Sequence, residues 1–223
     1  WILNGAAVRV SMVGFDSGTE TAKILDGVPA DAIHANLTAT ADLSTARRLS
    51  ENFDICFMGP SPKAPFDIDT DIALEMLDAP INVNSRPNSD VVRPVASAVD
   101  IVRRSRGKWT IDFALMLLEE ASLYELPFEY VRENILPIRN QSRRDDFQGQ
   151  WWRYARPRPE MREALNGKTR FIATPAVAKH RVFVWMSPDV LCNQGTLVFA
   201  RDDDYFFGVL HSRAHELWAL RMG

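Results

Sequence analysis

Arg170-Phe171-Ile172-Ala173-Thr174-Pro175-Ala176-Val177-Ala178-Lys179-His180-Arg181-Val182-Phe183-Val184-Trp185-Met186 carries two strand-like runs, 170–174 and 177–186, rich in β-branched and aromatic residues. A third run, 196–200, follows, extended beyond a turn by 205–210. The runs read as hairpin-linked strands. Along the whole chain too few helices alternate with strands to cover a parallel sheet on both faces. The fold class is therefore α/β of the α+β kind, with mixed, mainly antiparallel sheets and flanking helices.

Outward from this stretch, Pro159 near a helix start and Gly167 just past its end predict a helix over 159–165, and the pattern of 212–221 predicts a last helix. Upstream, 108–113 reads as a buried strand followed by a helix over 115–132, which Pro127 should kink or break. Residues 80–94 hold three prolines among Asn and Ser, a long loop that suits a boundary between domains of 1–94 and 95–223. Gly59-Pro60-Ser61-Pro62 is incompatible with regular structure. A helix is expected over 71–77 and another over 43–51 with Asp42 as N-cap. The first strand, 6–15, turns at Asp16-Ser17-Gly18 and is met by a returning strand at 23–27.

With 223 residues, 46% of them hydrophobic and 25% charged, the chain has the composition of a globular protein. No apolar run approaches the roughly 20 residues of a membrane span and the amino end has no signal-peptide core, so the expected location is the cytoplasm, with no membrane partner. Cys56 and Cys192 each sit among apolar residues and read as buried thiols. The opening at Trp1 without an initiator Met, and the stop directly after a helical pattern, read as a segment of a larger protein.

Several activities lack their motifs. No two glycines are spaced as G-x-G, and no Pro-Pro pair exists to build the N-P-P-Y that holds an extruded adenine. None of the five lysines has an acidic residue two positions before it, as a metal-dependent nuclease would want, and neither G-x-S-x-G nor a phosphate-cradling G-x-x-x-x-G-K occurs. No catalytic residue is assigned, and binding is favoured over catalysis. His211 and His215, four apart, would share one helix face and could serve a metal-dependent hydrolase, but no third ligand is evident. Asp202-Asp203-Asp204 reads as a solvated hairpin turn. No metal residue is assigned.

The net charge of -3 hides an uneven distribution: residues 132–181 hold 12 Arg or Lys against 5 Asp or Glu. Within that segment Arg143, Arg144, Trp151, Trp152, Arg153, Arg156 and Arg158 combine guanidinium groups with rings able to stack. Arg103, Arg104 and Arg106 form a second cluster, and Lys179 and Arg181 a third. All twelve are candidate DNA contacts. The alternative is that the tryptophans pack as core and the arginines form a solvated surface, or that the basic segment of a scaffold domain meets acidic protein partners.

The stretches 4–15, 86–91, 109–113 and Phe206-Phe207-Gly208-Val209-Leu210-His211-Ser212 resemble large bacterial type IIG restriction-modification proteins. Trp151-Trp152 and 172–181 resemble the target-recognition part that follows the catalytic motif of their adenine-N6 methyltransferase domain. The resemblance implies that 1–94 completes the methyltransferase domain and 95–223 recognises the DNA target. It implies double-stranded DNA and the catalytic methyltransferase domain of the same chain as partners. S-adenosylmethionine and Mg2+ are implied for the parent protein and none in this segment.

Overall fold

The computed structural model describes residues 2–3, 6–7, 11–40, 42, 46–141 and 149–222. The chain divides into two units, 1–48 and 49–223.

In the first unit β1 (Ile2–Leu3) pairs antiparallel with β2 (Ala6–Ala7), and β3 (Lys23–Leu25) with β4 (Val28–Ala30). Asp26 and Gly27 join the latter pair with φ of 53° and 80°, the double left-handed conformation of a two-residue hairpin turn. The strand expected to return onto 6–15 therefore pairs forward instead, because Asp-Gly supplies a turn whose twist matches its flanking strands. Asp16 does turn the chain, its carboxylate accepting the amides of Gly18 at 2.5 Å and Thr19 at 2.8 Å. Of the helix expected over 43–51, a 3-10 turn at Ser50–Asn52 is described. It buries no residue, so no packing supports a longer helix; 43–45 lie outside the described residues.

The second unit holds two four-stranded sheets. One runs β10 (Val184–Met186), β9 (Phe171–Pro175), β12 (Thr196–Phe199), β5 (Cys56–Met58), antiparallel throughout. The other runs β11 (Leu191–Cys192), β7 (Val92–Ala96), β8 (Trp109–Ile111), β6 (Asp67–Ile68), parallel between β11 and β7 and antiparallel elsewhere. The mixed, mainly antiparallel class is thus observed. Only 193–195 separate β11 from β12, so the chain changes sheet across three residues.

Helices cover these sheets. In β9 alternate residues face opposite ways: Phe171 and Ala173 meet Met161 of α6 (Pro159–Leu165) and Ile101 of α2 (Ala98–Val102), while Ile172 meets Leu210 of α7 (Asp204–His211). Both faces are covered, and all five residues of β9 are buried. Around the second sheet, Phe66, Ile68, Ile111 and Phe113 pack with Met76 of α1 (Thr70–Asp78), Ala121 of α3 (Leu118–Ala121) and Val131 of α4 (Glu125–Asn134). Two further helices are α5 (Leu136–Asn140) and α8 (Arg213–Met222).

Several expectations change. The helix over 115–132 breaks at 122–124 rather than at Pro127, which sits in the first turn of α4, where a missing N–H costs nothing. The strand over 177–186 contracts to 184–186. Residues 205–210 are helical: the Asp203 side chain accepts the Phe206 amide at 2.8 Å as an N-cap, and Phe206, Phe207 and Leu210 reach the sheet at helical spacing. The loop around 80–90 joins α1 to β7 within the second unit, and the division of the chain falls at 48/49. Cys192 is buried as expected, and burial pushes its thiol up to about 12. Cys56 is exposed, because in the edge strand β5 it shares the outward side with Met58 while Phe57 turns inward.

Candidate nucleic-acid interface

Of the described residues of the basic, aromatic segment, Arg139, Trp152 and Tyr154 are interior. Trp152 is buried and donates from Nε1 to the Met116 carbonyl at 3.0 Å. Trp151 is half-buried, its ring centroid 5.3 Å from Phe128 and 6.0 Å from Trp152. Tyr154 is buried against Phe66, with its hydroxyl 2.5 Å from Thr110 Oγ1, and burial holds its pKa well above the usual phenol value. Arg153 lies over the Trp152 ring and donates to the carbonyls of Met116, at 2.7 Å, and Leu115. Arg139, also within the segment, is buried and donates to the Pro62 carbonyl at 2.7 Å. Both tryptophans thus pack, and Arg153 is fixed to main-chain carbonyls.

Arg156 differs. Its side chain is exposed, while its backbone bridges Ser61 with two hydrogen bonds of 3.0 Å. Arg158 is half-buried, at φ 57° and ψ 63°, just before α6. Ser61 is buried, and its hydroxyl donates to Gln194 Oε1 at 2.5 Å. The 59–62 stretch, called irregular from its prolines, is therefore the strip that joins the basic segment to the 193–195 turn. Gly59 makes this approach possible: a Cβ there would lie 2.2 Å from the Asn193 carbonyl oxygen. Sequence reading missed Ser61, Asn193 and Gln194. The one signal available was Asn-x-Gly before a strand-like run, a turn signature silent about its neighbours.

Of the second cluster, Arg106 is engaged internally, donating to both Asp100 oxygens and to Ser97 Oγ at 2.8 Å. Ser97 and Asp100 form a reciprocal cap on α2, and the Arg106 guanidinium holds the Asp100 carboxyl well below the usual carboxylate range. Arg103 and Arg104 are exposed beyond the end of α2. Lys179 and Arg181 are exposed in the loop leading to β10, beside a cleft of about 450 Å3 that Phe183, His211 and Glu216 also line. That loop leaves β9 next to the 193–195 turn, where the Ala176 amide donates to the Gly195 carbonyl at 2.9 Å. Arg143 and Arg144 lie outside the described residues.

His211 and His215 occupy different helices, α7 and α8. Their Nδ1 atoms lie 3.1 Å from the Phe207 carbonyl and 2.8 Å from the Leu210 carbonyl, and Phe183 packs against both rings. Among the described residues no group of three His, Cys, Asp or Glu is placed to hold a metal. The Asp202–Asp204 triplet opens α7 rather than a hairpin, its members paired with Lys168 at 3.5 Å, Arg201 at 2.8 Å and Arg170 at 2.7 Å. No described helix is long and apolar enough to cross a membrane.

No family model matches the chain, and no curated protein matches it. Solved structures do share its fold, among them a type IIL restriction-modification enzyme in complex with DNA. That enzyme is MmeI, whose reported structure bears on engineering new specificities. The match has a TM-score of 0.61 at 12% identity and covers 86% of this chain. The chain spans about a quarter of that protein's length, with 25% covered.

Proposed function

We propose that this chain is the DNA target-recognition segment of an adenine-N6 methyltransferase of the type IIG restriction-modification kind, binding duplex DNA for a catalytic domain elsewhere in the same protein. The observation that carries this reading is the fold shared, over most of the chain, with a restriction-modification enzyme solved with DNA. The unit 49–223, which holds both four-stranded sheets, would meet the target. S-adenosylmethionine and Mg2+ would act outside this segment, in a cytoplasmic parent enzyme. Nothing in the placement of His211 and His215 favours a hydrolase.

Exposed Arg103, Arg104, Lys179 and Arg181 are the phosphate contacts in this reading. Each contact removed should lower affinity alike on all sequences and reduce the slope of log K against log salt by about 0.9. Titration of fluorescent duplexes with the 223-residue protein and its four single Ala variants, at several salt concentrations, tests this. Unchanged slopes in all four, or no binding by the wild type, would refute the assignment.

A further inference from the structure

We infer that the tip of the Asn193-Gln194-Gly195 turn and the adjoining Arg156 form a base-reading site, taking the major-groove edges of two neighbouring base pairs. The inference rests on the DNA-binding reading above and goes beyond it in naming the residues that determine sequence preference.

The turn is fixed from every side. The Asn193 amide donates to Ala96 at 2.9 Å, the Asn193 side chain accepts the Gly195 amide at 2.9 Å, and the Asn193 carbonyl receives both the amide (2.9 Å) and the hydroxyl (2.6 Å) of Thr196. Ala176 holds the Gly195 carbonyl, and Gly59 lies directly against Asn193. Asn193 is used up as a staple. Gln194 between them is exposed, and Ser61 fixes one end of its amide.

Ser61 therefore holds the Gln194 side chain through its hydroxyl and places the Arg156 backbone beside it through two main-chain hydrogen bonds. A long exposed side chain ordinarily surrenders rotamer freedom on binding; one already held by a buried hydroxyl surrenders less. The Gln194 amide keeps two N–H donors and a second oxygen lone pair, the complement of the adenine N7 and N6 edge. Arg156 presents the fork that matches guanine O6 and N7. A neutral amide gains nothing from phosphate by counterion release, so its place on a rigid tip beside a guanidinium suits reading rather than general anchoring.

The test is selection from a randomised duplex library by the 223-residue protein and by Gln194→Ala, Gln194→Glu, Arg156→Ala and Arg156→Lys, with Kd then measured on the selected and on random duplexes. The Gln194 variants are expected to lose roughly 5- to 150-fold discrimination at one position, the Arg156 variants as much at the adjacent one. In each variant the ratio of Kd on random duplexes to Kd on the selected duplex should fall toward 1. If the wild type selects a site and the variants select the same site equally well, the base-reading assignment is overturned while DNA binding stands. Binding without selection by the wild type has the same meaning. Failure of the wild type to bind any duplex overturns both.

Discussion

Arg153 and Arg162 carry charge of the kind that marks an anion-binding surface, yet each is employed inside the fold. Arg153 bonds two carbonyls while covering Trp152, so Arg153→Ala is expected to lower stability by about 1.5–3 kcal/mol in urea unfolding, with the salt dependence of DNA binding unchanged. Arg162 reaches Asp112 at 2.8 Å, and that carboxylate is almost wholly enclosed, its side chain 1% exposed. Removing the guanidinium leaves a buried charge without its partner; Arg162→Ala should cost about 3–5 kcal/mol by the same measurement. The two cysteines should separate cleanly under alkylation at pH 8. Cys56 stands on an outward position of an edge strand and should be labelled in the native protein, whereas Cys192, enclosed with its thiol pushed up to about 12, should be labelled only after unfolding.

At the scale of elements, α2 depends on its cap. Asp100 has its folded pKa lowered, foremost by Arg106, so the stabilisation it gives is complete above the ordinary carboxylate value of 3.8 and is lost as pH falls below it. Arg106→Ala should therefore narrow the difference in unfolding free energy between pH 6 and pH 3, measured by urea titration at both. The close approach of 59–61 to 193–195 is equally local: Gly59→Ala would force the two strips apart and should destabilise by about 1–3 kcal/mol or more. Elements of this kind mark where sequence patterns stop being informative. The helices at 70–78 and 159–165 and the strand at 109–111 were legible, because periodicity, caps and a β-branched run agreed there. Residues 205–210 read as strand because Tyr205-Phe206-Phe207 carries strand propensity, whereas the Asp203 cap and packing of one face on the sheet decide for a helix. In the candidate site a tryptophan packed as core was legible, but Arg153 bound to interior carbonyls was not, and Gln194 carried no signal, since its importance comes from Ser61, 133 positions away.

For the molecule as a whole, the basic excess of 132–181 shrinks when pairings are followed. Arg132, Arg162, Lys168 and Arg170 have acidic partners, and Arg139 and Arg153 are committed to carbonyls. Among the described residues Arg156, Lys179 and Arg181 stay exposed there and Arg158 is half-buried, joined by exposed Arg103 and Arg104, while Arg143 and Arg144 lie outside the described residues. Salt dependence of DNA binding should accordingly be shallow, with a slope of about 4 to 7 rather than the value of about 11 that all 12 cations would give. Among the described residues the three hydrophobic clusters draw on 49–223, so that segment purified without 1–48 should still unfold cooperatively. The three-residue passage from one sheet to the other has a bearing on how such a protein can change over time. Its backbone is anchored at 193 and 195–196 by hydrogen bonds that do not involve the side chain of 194, whose one bond in the fold comes from the Ser61 hydroxyl. A saturation library should tolerate many amino acids at 194, at the cost of that one bond, while rejecting most at 59, leaving one codon far freer to drift in evolution than those around it.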